Sequence, residues 1–211
     1  PQQVTDSHPK SRNELKAQTR ARIIDATIEA LIEEGHAGLS MNKIAKRAGI
    51  AQPSFYVHFE NLDQLFEAVA ATLADRYIRP LQHSLESVMH TLKPEETRGL
   101  IERMFGVGFD IVRQQKALYL TLWTERDQPK SALGQHIRNF YHDCKDGWTN
   151  VLLNVGLVEN SEPGRLKLRL FMDGVFALFE CYTMEWIAGR YTDEQPLIQS
   201  LTDYVMHYWE R

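Results

Sequence analysis

Ser40-Met41-Asn42-Lys43-Ile44-Ala45-Lys46-Arg47-Ala48-Gly49-Ile50-Ala51-Gln52-Pro53-Ser54-Phe55-Tyr56-Val57-His58-Phe59 is the stretch that decides the reading of this chain. Ser40 has the chemistry of a helix N-cap, because its hydroxyl accepts from a backbone N–H that the first turn leaves unpaired. Met41, Ile44, Ala45 and Ala48 follow at i, i+3, i+4 and i+7, the inward face of a short helix over 41–48. Gly49 breaks that helix, since glycine enters turn conformations at little steric cost. A second short helix is expected over 52–59, with Pro53 tolerated in its first turn. Phe55 and Phe59 face inward, which leaves Gln52, Ser54, Tyr56 and His58 outside. Small residues where two short helices cross, a glycine turn, and a polar outer face on the second helix make the pattern of a helix-turn-helix. By spacing alone the same pattern also fits an ordinary three-helix packing unit with a polar exterior.

Outward from this stretch the whole chain reads helical, with apolar residues three and four apart and no sustained alternation. Upstream, Ile24, Ile28 and Leu31, widened by Ile23 and Ala30, give a helix over about 14–34 that Gly35 closes. Residues 1–13 are polar, with Pro1 and Pro9, and are expected to form a flexible arm. Downstream, Asn61 can cap a helix that starts at Leu62, carries Leu65, Phe66, Val69 and Leu73, and runs to about Leu92 with a kink at Pro80. Five more helices are expected over 94–114, 116–126, 131–155, 163–188 and 193–210. The fold class is therefore all-α with about nine helices: a helix-turn-helix domain over 14–60 and a larger helical domain over 61–211.

The 211 residues are 43% hydrophobic and 25% charged, enough apolar surface to exclude a disordered chain. No run approaches the roughly 18 apolar residues of a membrane-spanning helix, and no signal peptide opens the sequence, so a cytoplasmic protein is expected. The formal charge of −4 hides a gradient. Residues 1–60 hold eight Lys/Arg against seven Asp/Glu, and 61–211 hold 16 against 21. A mildly basic end on an acidic body suits one nucleic-acid-facing end. Cys144 and Cys181 make no disulfide framework; both lie in apolar stretches and are expected as buried free thiols. Tyr141-His142-Asp143-Cys144 brings a histidine near a thiol, but neighbours one or two apart do not share a helix face. There is no glycine-rich phosphate loop or nucleophile elbow, and His83 and His90 lack Cys or His companions at metal spacing. No catalytic residue, metal or cofactor is expected.

Residues 20–66 resemble the DNA-binding domain of the TetR (tetracycline-repressor-like) family of bacterial transcriptional regulators. The resemblance is carried by Arg22-Ile23-Ile24-Asp25-Ala26, Glu34-Gly35, Gly38-Leu39-Ser40, Lys43-Ile44-Ala45, Ala48-Gly49-Ile50, Phe55-Tyr56-Val57-His58-Phe59 and Leu65. Two positions depart from the family pattern. Leu62 stands where a phosphate-holding Lys is usual, and Met41 where a hydroxyl residue is often found.

The resemblance implies a dimeric regulator that binds double-stranded operator DNA and answers to a small molecule. On this reading Gln52 reads a base, since its amide can bond adenine bidentately, and Pro53 and Ser54 approach base edges. Tyr56 and His58 hold phosphates; the alternative for His58 is an imidazole packed in the domain. Ser40, Asn42 and Lys43 supply polar groups at the start of the first short helix, and at most one or two of Lys43, Lys46 and Arg47 reach phosphate. Lys10 and Arg12 of the arm are candidates for a minor groove. An apolar effector pocket is expected from Met104, Phe105, Gly108 and Phe109, with Trp123, Phe140, Trp148 and Phe176 and the polar Glu180; His83 and Cys181 are further polar candidates. Plain core packing is the alternative for each aromatic. The last two helices carry too wide an apolar surface for one exposed face, so Phe171, Phe179, Trp186, Leu197, Leu201, Tyr204, Tyr208 and Trp209 are expected at a homodimer interface. The expected function is a bacterial repressor, bound to the nucleoid at its operator and released from it by a hydrophobic effector, with the helix after Asn61 as the lever between the two activities.

Overall fold

Ser11 opens α1 (Arg12–Glu34), two residues earlier than the periodicity suggested. Its Oγ accepts from the Glu14 N–H at 3.2 Å, and the Glu14 carboxylate accepts from the Ser11 N–H at 2.7 Å. This capping box satisfies two donors that a helix start leaves unpaired. The structure is a computed structural model that describes residues 11–89, 93–154, 156 and 158–209. Lys10 and the preceding part of the expected arm lie outside the described residues, as does the end of the helix expected to reach Leu92.

At the far end of α1, Gly35 sits at φ 69° and ψ 177° and donates its N–H to the Leu31 carbonyl at 3.1 Å. A short 3-10 turn, His36–Gly38, leads to α2 (Met41–Arg47), where Ser40 Oγ accepts from the Lys43 N–H at 3.3 Å. Gly49 turns the chain at φ 67°. The next helix, α3 (Gln52–Phe55), is a single turn, shorter than the expected 52–59. The N–H groups of His58 and Phe59 both donate to the Phe55 carbonyl, at 2.9 and 3.0 Å, so the chain keeps coiling and Phe59 still lands inside. Asn61 Oδ1 accepts from the Gln64 N–H at 2.9 Å at the head of α4 (Leu62–Leu73). Ile23, Leu31, Ile44, Phe55, Phe59, Leu65 and Phe66 are all fully buried, while Met41 is only half-buried.

The chain divides into two compact units, Pro1–Val69 and Ala70–Arg211, so the division falls within α4. Beyond Leu73 the backbone widens into a π turn, Ala74–Ile78, before α5 (Arg79–Met89). Pro80 explains the irregularity. It has no N–H to donate, and its ring collides with the carbonyl four residues back, here Arg76, unless the turn opens. The expected kink is thus realised as a wide turn just ahead of the proline.

The remaining helices are α6 (Pro94–Gln114), α7 (Lys116–Arg126), α8 (Ala132–Asn154), α9 (Glu162–Ile187) and α10 (Gln195–Trp209). Ser131 and Ser161 cap α8 and α9 by accepting from Gly134 and Gly164 N–H groups at 3.0 and 3.3 Å. With α4, the π turn and α5 counted as one helix, the described residues form nine helices and no strand, in line with the all-α expectation. α8 packs on α5, α7 and α9, and α10 packs on α6 and α9. One core cluster gathers Leu85, Val151, Leu152, Leu168, Phe171 and Val175; another gathers Phe109, Leu197, Ile198 and Leu201.

Gly35 occupies a backbone region that is essentially closed to other residues. Gly35→Ala should therefore destabilise the protein by about 1–3 kcal/mol, read as a lower midpoint in urea denaturation; an unchanged midpoint would mean that the turn relaxes freely.

Candidate functional site

The outer face of the helix-turn-helix is built on two buried rings. Phe55 and Phe59 lie 5.9 Å apart and hold α3 from beneath. This leaves Gln52, Pro53 and Ser54 exposed together, with Tyr56 at 48% exposure and Val57 at 63%. Val57 was not singled out from sequence, because an apolar residue between two phenylalanines reads as core. α1 secures the far end of the segment. Arg20 Nη1 donates to the His58 carbonyl at 2.8 Å, and its guanidinium lies 4.1 Å over the Phe59 ring.

His58 is half-buried, and its Nδ1 is buried without a hydrogen-bond partner among the described residues. Burial, helped by the nearby charges of Lys16 and Arg20, pulls the imidazole below its ordinary pKa. Asn42 is exposed, and the Ser40 hydroxyl is used as a cap. Lys43 Nζ is tied to Glu34 at 3.0 Å and donates to the Gly38 carbonyl at 2.9 Å, with the side chain still 59% exposed. Arg47 is held by Glu33 and Glu34 of α1. Arg12 is the first residue of α1 rather than part of an arm.

The second unit holds a partly open cavity of about 660 Å³. Met104, Phe105, Gly108, Phe140, Trp148, Phe176 and Glu180, all expected from sequence, line it. Phe109 and Trp123 do not. Phe109 is fully buried behind the wall, edge-on to Phe179 and Trp186 at 5.4 and 5.6 Å, so it belongs to the core. Trp123 turns its indole N–H to Glu180. His83 and Cys181 are exposed and line nothing here; the expectation of a buried Cys181 thiol is corrected, whereas Cys144 is buried on the wall. The wall also includes Leu73, Tyr77, Ile78, Leu81 and Leu85 from α4, the π turn and α5, and Tyr119 and Tyr141, none of which the sequence had marked. Gly108 makes room for Phe179: a Cβ there would meet the ring at 2.9 Å.

The polar lining comprises Thr97, Gln115 and the group around Glu180. Glu180, the only charged side chain on the wall among the described residues, is neutralised by Arg126, whose Nη1 donates to it at 2.8 Å. The Arg126 guanidinium also lies 5.0 Å from the Tyr141 ring centroid. Tyr119 and Thr183 hydroxyls are 2.8 Å apart, within hydrogen-bonding distance. Burial pushes the Tyr119 and Tyr141 phenols above their ordinary range and the Cys144 thiol up to about 12. The walls are thus apolar or neutral, which suits a molecule that is largely hydrophobic.

For the expected dimer interface the structure brings a correction. Phe171, Leu197 and Leu201 are buried inside the subunit, so their surface is already removed from water and is not open to a partner. Phe179, Trp186 and Tyr208 are half-buried against Phe109 and Phe171. Tyr204 is 40% exposed and stacks on Phe171; the Trp209 side chain lies outside the described residues. What α9 does leave exposed is a stripe of Leu166, Leu170, Ala177 and Cys181 at helical spacing. No helix of the described residues is long and apolar enough to cross a membrane, and none of their His, Cys, Asp and Glu side chains form a metal-binding group.

Residues 23–69 match the family model described as bacterial regulatory proteins, tetR family. The chain is 23% identical over 170 residues to the fatty acid metabolism regulator protein of Bacillus subtilis (strain 168), spanning 79% of this chain and 82% of that protein. It is 40% identical over 58 residues to the tetracycline repressor protein class D of Escherichia coli, 28% of this chain and 27% of the repressor. The solved structure of the transcriptional regulator FadR from Bacillus subtilis in complex with stearoyl-CoA matches with a TM-score of 0.63 at 20% identity, covering 87% of this chain and 95% of that one. These proteins are transcriptional regulators, not enzymes.

Two outcomes test this geometry. Phe109→Ala should cost about 3–5 kcal/mol of stability, as expected for an aromatic lost from a tight core; a urea midpoint that barely moves would return Phe109 to the cavity wall. The depressed His58 pKa means that the unfolded chain binds more protons than the folded one near pH 6.5. Stability should therefore be fully present above that pH and fall as pH drops towards the folded value. The fall in melting temperature on going from about pH 7.5 to 5.5 should shrink in His58→Gln; an equal fall in both proteins would acquit His58.

Proposed function

We propose that the chain, whose residues 23–69 match the tetR family of bacterial regulatory proteins, is a repressor released from a palindromic operator by a hydrophobic effector. The observation that carries this reading is the cavity of about 660 Å³, lined mostly by apolar side chains, in the same chain as a helix-turn-helix. A volume of that size suits a drug-sized or acyl-chain ligand, and the stearoyl-CoA held by the B. subtilis regulator makes acyl compounds the first class to test. The region over 14–60 reads DNA, and 61–211 senses the effector and dimerises, all in the bacterial cytoplasm.

In the proposed complex Gln52 reads a base, Pro53 and Ser54 approach base edges, and Val57 offers an apolar contact to a thymine methyl. Tyr56, with Ser40, Asn42, Lys43 and His58 around it, holds phosphates and sets the register. The dimer forms through α9 and α10, on the exposed stripe of Leu166, Leu170, Ala177 and Cys181 together with Tyr204. The effector lies against Met104, Phe105, Gly108, Phe140, Trp148, Phe176 and Glu180. It favours a dimer whose recognition helices are wrongly spaced, a coupling typically worth about 1–3 kcal/mol. Selection of bound sequences from a random DNA pool, followed by titration of the DNA complex with an acyl-CoA series, tests the reading. An enriched palindrome that is released by a long-chain member supports it; no enriched sequence, or an operator affinity that no hydrophobic compound alters, overturns it.

Gln52→Ala should lose about 1–3 kcal/mol on the selected operator and relax one base position per half-site; equal weakening on random DNA would make Gln52 a positioning contact. Leu170→Glu places a charge in the proposed interface, and sedimentation should show monomers and DNA affinity should fall with them. A dimer of wild-type strength would move the interface to another face.

A further inference from the structure

Beside the cavity a second, smaller pocket of about 250 Å³ lies among α7, α8 and α9. Tyr141, Phe176 and Glu180 line both, so these side chains form the boundary between the two spaces. The second pocket differs in charge. Arg126, Arg138 and Lys145 line it, with His142, against the carboxylates of Asp173 and Glu180. Each carboxylate is already paired, Glu180 with Arg126 at 2.8 Å and Asp173 with Lys145 at 2.6 Å. Asp127, which also meets Arg126, lies outside the lining. Arg138 is the cation left over. Its Nη1 donates to the carbonyls of Arg126 and Gln128, at the end of α7, at 2.5 and 3.4 Å, and its Nη2 donates to Gln135 Oε1 at 3.1 Å. A guanidinium has five N–H donors. The Nε–H and one Nη2–H of Arg138 therefore have no partner among the described residues. The side chain is half-buried, where salt screens a charge less than it does on the open surface.

We infer that this pocket takes an anionic group of the effector, a carboxylate or a phosphate, while the apolar body of the same molecule fills the cavity. The inference rests on the reading of the cavity as the effector site. An anion beside Arg138 gains charge-assisted hydrogen bonds from the two free N–H groups, and it meets the surplus positive charge without displacing either ion pair. An apolar chain that reaches the Glu180 end of the cavity arrives at the boundary with the charged pocket. To span both spaces the ligand has to move Tyr141 or Phe176 and can leave the Glu180–Arg126 pair in place. An alcohol could accept from the same N–H groups, but a bond to an ionised partner is roughly twice as strong as one between neutral groups.

Decanoate, decyl phosphate and decanol share one apolar chain and differ in the head, and the two anions tell a carboxylate site from a phosphate site. Each is titrated calorimetrically into the full chain at about pH 7.5, where both anions are ionised. At least one anion should bind more tightly than decanol. Arg138→Gln removes the free N–H groups and the charge, and should weaken that anion by roughly tenfold, the worth of a hydrogen bond to a charged group, with decanol unchanged. His142→Glu places a negative charge in the pocket at an exposed position and should shift the same ratio in the same direction. Should Arg138→Gln loosen the end of α7 and weaken all three ligands alike, His142→Glu decides, because that side chain is exposed. A wild-type chain that binds decanol at least as well as both anions overturns the inference, as does an anion-to-alcohol ratio that His142→Glu leaves unmoved; in either case the cavity remains an effector site. If none of the three binds the wild-type chain, the cavity reading falls and takes this inference with it.

Discussion

A helix of one turn has almost no stability of its own, because nucleating it fixes several dihedral angles for very few hydrogen bonds. Gln52–Phe55 keeps its shape only because Phe55 and Phe59 are fully buried beneath it. The rest of the DNA-facing unit follows from that constraint. Ala45 and Ala48 are small and buried, so α2 can lie close to the two rings. Arg20 reaches from α1 to hold the His58 carbonyl and cover the Phe59 ring. Three elements therefore fix one short exposed edge, and a face ordered in advance loses less conformational entropy when it binds.

Much of this was legible because helices announce themselves by period and punctuation. The bounds of α6 and α7 coincide with those drawn from the sequence, and Ser40, Gly35 and Asn61 cap where their chemistry says they should. Where apolar periodicity is absent it gives no warning. The start of α1 carries no apolar stripe, yet Ser11 and Glu14 spell the capping box that begins it. On α6, Phe105 and Phe109 are four apart and read alike; only the packing of α9 and α10 puts the first on the cavity and the second in the core. The apolar width of α9 and α10 was plain, but width does not say what covers it. Phe171, Leu197 and Leu201 turned out to be covered by their own chain. The basic residues of α2 show the same limit: a charge is visible in sequence, while the Glu33 and Glu34 partners of Arg47 are visible only in the fold.

The cavity has a thermodynamic meaning. Its walls are mostly apolar, so a largely hydrophobic molecule gains by leaving water for it. A ligand that binds only the folded form stabilises that form by mass action. Polar groups around Glu180 are arranged so that this space stays uncharged: Arg126 cancels Glu180, and burial keeps Tyr119 and Tyr141 protonated. A site built this way selects first by apolar bulk.

One part of the wall has an unusual backbone. Leu73, Tyr77 and Ile78 line the cavity from the end of α4 and the π turn. A π turn is a less favourable hydrogen-bonding arrangement than an α turn, and here the ring of Pro80 keeps the ladder from closing. A backbone held this way has less hydrogen bonding to lose by changing than a regular α turn has. The same α4 carries Leu65, Phe66 and Val69, which are buried in the first unit. On the proposed function, a ligand that repacks Tyr77 and Ile78 acts on the turn that directly continues α4, and Pro80 keeps that turn from closing into a regular α-helix.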